Sequence, residues 1–123
     1  MNWIAAGSVA LAVAVMLGAF GAHGLRGRLD AYSMGIYERA VFYHFIHALG
    51  LLVVPALARI GVVAPSAAFW VCLLLLAGIV FFSGSLYALA ITGIRPLGAI
   101  TPIGGLAFIA AWLLLAWAIM RQG

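Results

Sequence analysis

Four stretches of this chain, residues 3–22, 40–58, 67–92 and 100–120, are almost wholly apolar and contain no charged residue. A helix needs about 20 such residues to cross the roughly 30 Å hydrocarbon core of a bilayer, so each stretch is long enough to span it. With 68% hydrophobic and 7% charged residues, a chain of 123 residues cannot hide all four in a water-soluble core. The sequence therefore predicts an all-α integral membrane protein, a four-transmembrane-helix bundle forming one domain over residues 1–123. The first stretch lacks the basic n-region of a signal peptide and is longer than a usual h-region, which predicts a retained first span.

The connections carry the expected breakers. "RIGVVAPS" (59–66) is a Gly/Pro link, "GIRPLG" (93–98) is a turn built on Arg95-Pro96, and Pro55 is expected to kink the second span. Between the first two spans, Leu25, Leu29, Tyr32 and Ile36 recur at helical spacing, with Arg26, Arg28, Asp30 and Ser33 elsewhere on the wheel. That pattern predicts a short interfacial helix over 25–36. In the first span, Ala6, Ala10, Ala14, Gly18 and Ala22 fall at every fourth position. Such a small-residue face admits a closely packed helix, from the same bundle or from a second copy of the chain in a homo-oligomer.

An even number of spans puts the N-terminus, residues 59–66 and the C-terminus on one side, here the terminal side. Segments 23–39 and 93–98 lie on the other, the loop side. All four tryptophans (Trp3, Trp70, Trp112, Trp117) then fall in the terminal-side half, and all four tyrosines (Tyr32, Tyr37, Tyr43, Tyr87) toward the loop side. Dropping one span would scramble this division of interface-seeking residues. The cations are all arginine. Arg26, Arg28, Arg39 and Arg95 lie on the loop side, Arg59 and Arg121 on the terminal side, which predicts a cytoplasmic loop side and external termini. The net charge of +4 is scattered singly at span ends, where arginines anchor helices to lipid, and forms no patch of the kind nucleic acid requires. Membrane lipids are the expected partners.

Polar residues collect in the loop-side half. At about 1.5 Å per residue, His44 lies roughly 10 Å and His47 roughly 15 Å below the loop-side surface, while Tyr87 and Ser83 lie roughly 8 and 13 Å deep. His23 closes the first span and Thr101 opens the fourth. Tyr37, Ala40, His44, His47 and Leu51 share one helix face, and Ser83 and Tyr87 form an i, i+4 pair on another helix. Groups this deep avoid lipid, so the two faces are expected to meet. Two readings follow: a polar half-pocket that binds or passes a small polar or anionic ligand or a lipid headgroup, or a set of interhelical hydrogen bonds that only fixes packing.

Other chemistries lack parts. His44 and His47 have no carboxylate or cysteine near enough to complete a metal site, since Cys72 lies at the far end of the bundle. Haem needs axial ligands from different helices at matched depth, and His23 is too shallow. No cofactor is expected. A Ser–His pair would want a carboxylate to orient the base, and G-x-S-x-G is absent, so the chain does not read as an enzyme. A proton-coupled exporter normally carries a buried carboxylate, and the spans have none.

The stretches "GAFGAHGL" (18–25), "YERAVFYHFIHALGLL" (37–52) and "FSGSLYALAITGIRPLGAITPIGG" (82–105), with a closing Trp-rich helix, resemble the domain-of-unknown-function family 423. These are small bacterial membrane proteins whose animal relatives are called transmembrane protein 256. The resemblance implies about four helices in a bacterial inner membrane and no established activity. Its motif residues coincide with those chosen above: His23, His44, His47, Ser83, Ser85, Tyr87, Arg95 and Thr101. It also draws attention to "TGIRPLGAITPIGG", where Thr101 is expected to cap the fourth helix and offer its amides to an anion. Gly104-Gly105 is expected to permit close backbone approach.

Overall fold

The computed structural model describes residues 2–122, and four of its helical rods are long and apolar enough to cross a membrane: Trp3–Leu25, Ala31–Arg59, Pro65–Thr92 and Arg95–Gln122. The first begins with α1 (Trp3–Phe20), capped by Asn2, whose side chain accepts the Ala5 amide at 3.1 Å. It closes in a π-helical turn, Gly21–Leu25, where the Arg26 amide reaches back to the Gly21 carbonyl.

The interfacial helix expected over 25–36 is not a separate element. Gly27, in the left-handed region at φ 88°, turns the chain, and Asp30 then caps a new helix by accepting the Ser33 amide at 2.7 Å. Nothing interrupts that helix afterwards. α2 runs from Ala31 to Arg59, through Pro55, so residues 31–36 are the first turns of the second span. The amphipathic pattern was still informative, because Leu25 and Ile36 are buried in one cluster with Tyr37, Ala40, Leu86 and Ala90.

The third rod has three parts: α3 (Pro65–Gly78), a π-helical turn (Ile79–Ser83) and α4 (Gly84–Thr92). Gly93, at φ 71°, ends it with its amide on the Leu89 carbonyl. A 3-10 turn, Arg95–Ala99, leads into α5 (Thr101–Gln122).

α2 is the centre of the bundle. It packs on α1, α3 and α4, while α5 packs on α3 and on the Ile79–Ser83 turn. Small residues set these approaches. A Cβ on Gly7 would come within 2.8 Å of the Leu51 side chain, and Gly18 faces Val41 and Phe45. Of the small-residue stripe, Ala14 is buried, Ala6, Ala10 and Gly18 are half-buried and Ala22 is exposed, with α2 as the neighbour inside the chain. A Cβ on Gly104 would overlap the backbone of Phe82, so α5 rests directly on the π-turn, as its glycine pair predicted; Gly105 meets only the Phe82 ring.

Two apolar clusters result. The larger, on the terminal side, includes Trp3, Leu51, Val54, Val63, Val71, Cys72, Leu75 and Ala118. The smaller, around Tyr37 and Leu86, lies toward the loop side.

Candidate functional site

The central helix carries the polar seam. His44 is 4% exposed, and its Nδ1 lies 2.9 Å from the Tyr87 hydroxyl of α4, with the Ala10 backbone of α1 also beside the ring. One turn earlier, Ser83 is fully buried and donates to the Ala40 carbonyl at 2.8 Å. Tyr37, whose ring covers Gly21, donates its hydroxyl to the Leu17 carbonyl. Ser85 donates to the Phe82 carbonyl at 3.0 Å, which commits its single proton. The Thr101 hydroxyl, 2.6 Å away, therefore donates to Ser85. The two polar faces predicted to meet do so at His44–Tyr87 and at Ser83–Ala40.

His47 does not join them. Its Nδ1 donates to the Tyr43 carbonyl of its own helix at 2.7 Å, and the ring stacks on Phe108 with centroids 3.5 Å apart, Trp112 lying beyond at 5.7 Å. The neighbours come from α5, whose rotation about its axis no spacing within the second span reveals. The single half-pocket expected between His47, Ser83 and Tyr87 is thus two separate, packed environments. Among the described residues no buried side-chain nitrogen or oxygen lacks a hydrogen-bond partner, so the interior leaves no polar group waiting for a ligand. No group of three or more His, Cys, Asp or Glu among those residues could hold a metal ion.

Thr101 also departs from expectation. It is the first residue of α5 rather than a cap before it, because the preceding 3-10 turn supplies the capping carbonyls: the Ile100 amide donates to Leu97 and the Ile103 amide to Ile100. The helix end is continuous with that turn, and the Thr101 hydroxyl serves Ser85 instead.

Open space lies at the loop-side surface. A cleft of about 680 Å³ runs between the start of α2 and the 93–98 turn, lined by Asp30, Tyr32, Ser33, Ile36, Leu89, Gly93, Arg95 and Gly98. Local chemistry fixes both walls. On one side Asp30 is held as a helix cap; on the other, left-handed Gly93 and Pro96 at the head of the 3-10 turn set the position of Arg95. The Ser33 amide, and after it the Ser33 hydroxyl, hold the Asp30 carboxyl below its ordinary range, so it is ionised at neutral pH. A smaller cavity of about 130 Å³ lies between the end of the first rod and α2, beside the exposed Arg26–Glu38 pair at 3.9 Å.

Of the eight predicted site residues, only Arg95 lines the larger cleft. His44, Tyr87, Ser83, Ser85, Thr101 and His47 are spent on packing and internal bonds, and His23 is exposed at the end of the first rod. Sequence reading missed Asp30, Ser33, Ile36 and Leu89 as lining residues. The available signal was Asp30 three residues before Ser33, a helix-start spacing that places a carboxylate at the membrane surface.

Four apolar rods around a satisfied polar seam define a small multi-span membrane protein. The chain belongs to the family described as "Protein of unknown function (DUF423)", whose model matches residues 17–105. It is 50% identical over 113 residues to the UPF0382 membrane protein SH2409 of Staphylococcus haemolyticus, covering 92% of this chain and 90% of that one. It is 46% identical over 121 residues to the UPF0382 membrane protein YwdK of Bacillus subtilis, covering 97% and 96%. No solved structure matches it.

Proposed function

We propose that this membrane protein binds the phosphate-bearing headgroup of a membrane lipid in its loop-side cleft. The observation that carries the reading is the cleft itself: about 680 Å³ at the membrane surface, within the usual range for small-molecule sites, with an arginine at its wall and apolar Ile36 and Leu89 beside it. Arginine is the side chain best matched to phosphate, through parallel N–H donors and a permanent charge. Ile36 and Leu89 suit the glycerol and first methylenes of a lipid better than they suit a free anion.

The arginine bias orients the cleft toward the cytoplasm, so the lipid comes from the inner leaflet. A cysteine placed in segment 59–66 then reacts with an impermeant maleimide added to intact cells, and one beside Arg95 does not. The reverse labelling pattern would overturn the orientation.

Binding is tested on the purified full chain by titrating a short-chain phospholipid against glycerol phosphate and inorganic phosphate. The lipid binds at least tenfold more tightly than either soluble anion, and Arg95→Gln weakens it about tenfold. Equal affinity for inorganic phosphate would make the ligand a soluble anion, and an unchanged Arg95→Gln variant would remove the site.

The interior supports a second role for the remaining predicted residues. With His44, Tyr87, Ser83, Ser85 and Thr101 bonded to one another or to backbone carbonyls, they act as interhelical ties that hold the cleft walls in place.

A further inference from the structure

The cleft holds two opposite charges that do not neutralise each other. Asp30 and Arg95 both line it, yet among the described residues the one ion pair within 4.0 Å is Arg26–Glu38. Opposite charges left apart across a cavity match a ligand that carries both signs itself. We propose that the cleft selects a zwitterionic headgroup with a primary ammonium beside its phosphate, the phosphoethanolamine class, with Arg95 taking the phosphate and Asp30 the ammonium.

This rests on the reading that the cleft takes a lipid phosphate, and it adds the second contact. The Asp30 Oδ1 atom is engaged by the Ser33 amide at 2.7 Å and the Ser33 hydroxyl also favours the ionised carboxylate, but among the described residues no cation lies within 4.0 Å of it. An ionised carboxylate is acceptor-only, and a primary ammonium offers three N–H donors to it. A trimethylammonium headgroup has no N–H to donate and is recognised by aromatic cages, whereas the cleft offers one tyrosine, Tyr32, which is 78% exposed. A headgroup that is only anionic would set a second negative charge or a bare hydroxyl against Asp30. The chemistry therefore ranks phosphoethanolamine first and both phosphocholine and phosphoglycerol behind it.

The test titrates the full chain in detergent with dihexanoyl lipids bearing the three headgroups, for the wild type, Asp30→Asn and Arg95→Gln. Asparagine is as good a helix cap as aspartate, so Asp30→Asn keeps the start of α2 while removing the charge. Thermal unfolding of each variant confirms that it is folded. The wild type binds the ethanolamine lipid about tenfold more tightly than the other two. Asp30→Asn brings the three affinities together at the level of the choline lipid, and Arg95→Gln weakens all three alike. A wild type without preference, or an Asp30→Asn variant that keeps it, would overturn the zwitterion assignment and leave the phosphate site standing. Arg95→Gln binding all three like the wild type would overturn the phosphate site itself, as would a wild type that binds none of them.

Discussion

The two halves of the bundle solve the same problem by different means. On the terminal side, Leu51, Val54, Val71, Cys72 and Leu75 are completely buried in a core of apolar side chains. On the loop side, the rods are tied by hydroxyl and imidazole contacts, both π-turns lie in or border that half, and two cavities open. Lipid tails are as apolar as leucine, so apolar side chains gain from closeness rather than from escaping water. The terminal half therefore packs shut, while the half that must meet headgroups and water is held by bonds that tolerate nearby openings.

The sharpest way to break this comparison is at Gly104, where the loop-side half depends on backbone contact. A Cβ there overlaps the Phe82 main chain, which cannot swing aside, so Gly104→Ala should cost about 3 kcal/mol, whereas Gly105→Ala should be nearly neutral. Thermal unfolding in detergent reads both. Equal tolerance would mean that α5 does not rest on the π-turn.

On the terminal side the largest loss comes from a cavity. Leu75 is fully buried, and Leu75→Ala should destabilise by about 2 kcal/mol, with no change in lipid binding at the cleft. A loss of binding without unfolding would join the two halves that the structure keeps apart.

Next in size is the tie between α2 and α4. A double-mutant cycle of His44→Ala with Tyr87→Phe should return a coupling of about 1 kcal/mol, and the same cycle for His47→Ala with Ser83→Ala should return about zero. The opposite ranking would restore the single pocket that depth alone suggested.

The smallest effect is at the helix cap. The folded pKa of Asp30 lies below its ordinary value of 3.8, so its charge contributes stability in full above that value and loses it as pH falls through the folded pKa. The wild type should unfold slightly above Asp30→Asn at neutral pH, and the gap should close on acidification to about pH 2. A gap that widens in acid would contradict the sign.

Hydrocarbon thickness made four spans legible, since no other feature of the chain sets a length near 20 residues. Depth counting was enough to expect the faces carrying His44 and Tyr87 to meet, because polar groups at that depth turn away from lipid toward protein partners. It failed for His47, whose surroundings are Phe108 and Trp112 on a rod whose rotation its own residues do not betray. It also failed at the start of the second span. Charged Glu38 and Arg39 read as the end of a membrane segment, but a helix can run on into the headgroups, and it is Asp30 that starts this one. The cleft was hidden for the same reason: its walls are a helix start and a turn more than 60 residues apart in sequence, joined only by the fold.

The π-turn at Ile79–Ser83 has one more consequence. It holds one residue beyond what a regular helix of that length would use, and winding the same residues as regular α-helix would turn everything after Gly84 by about 100°. Ser85 and Tyr87 would swing away from Thr101 and His44, whereas Val71 and Leu75 would stay where they are. The extra residue therefore works as a phase shift between two periodicities in one rod. The inner and outer portions of the third span can each keep the face that suits their own neighbours, and removing the extra residue so that the turn relaxes to regular α-helix would leave both faces where they are.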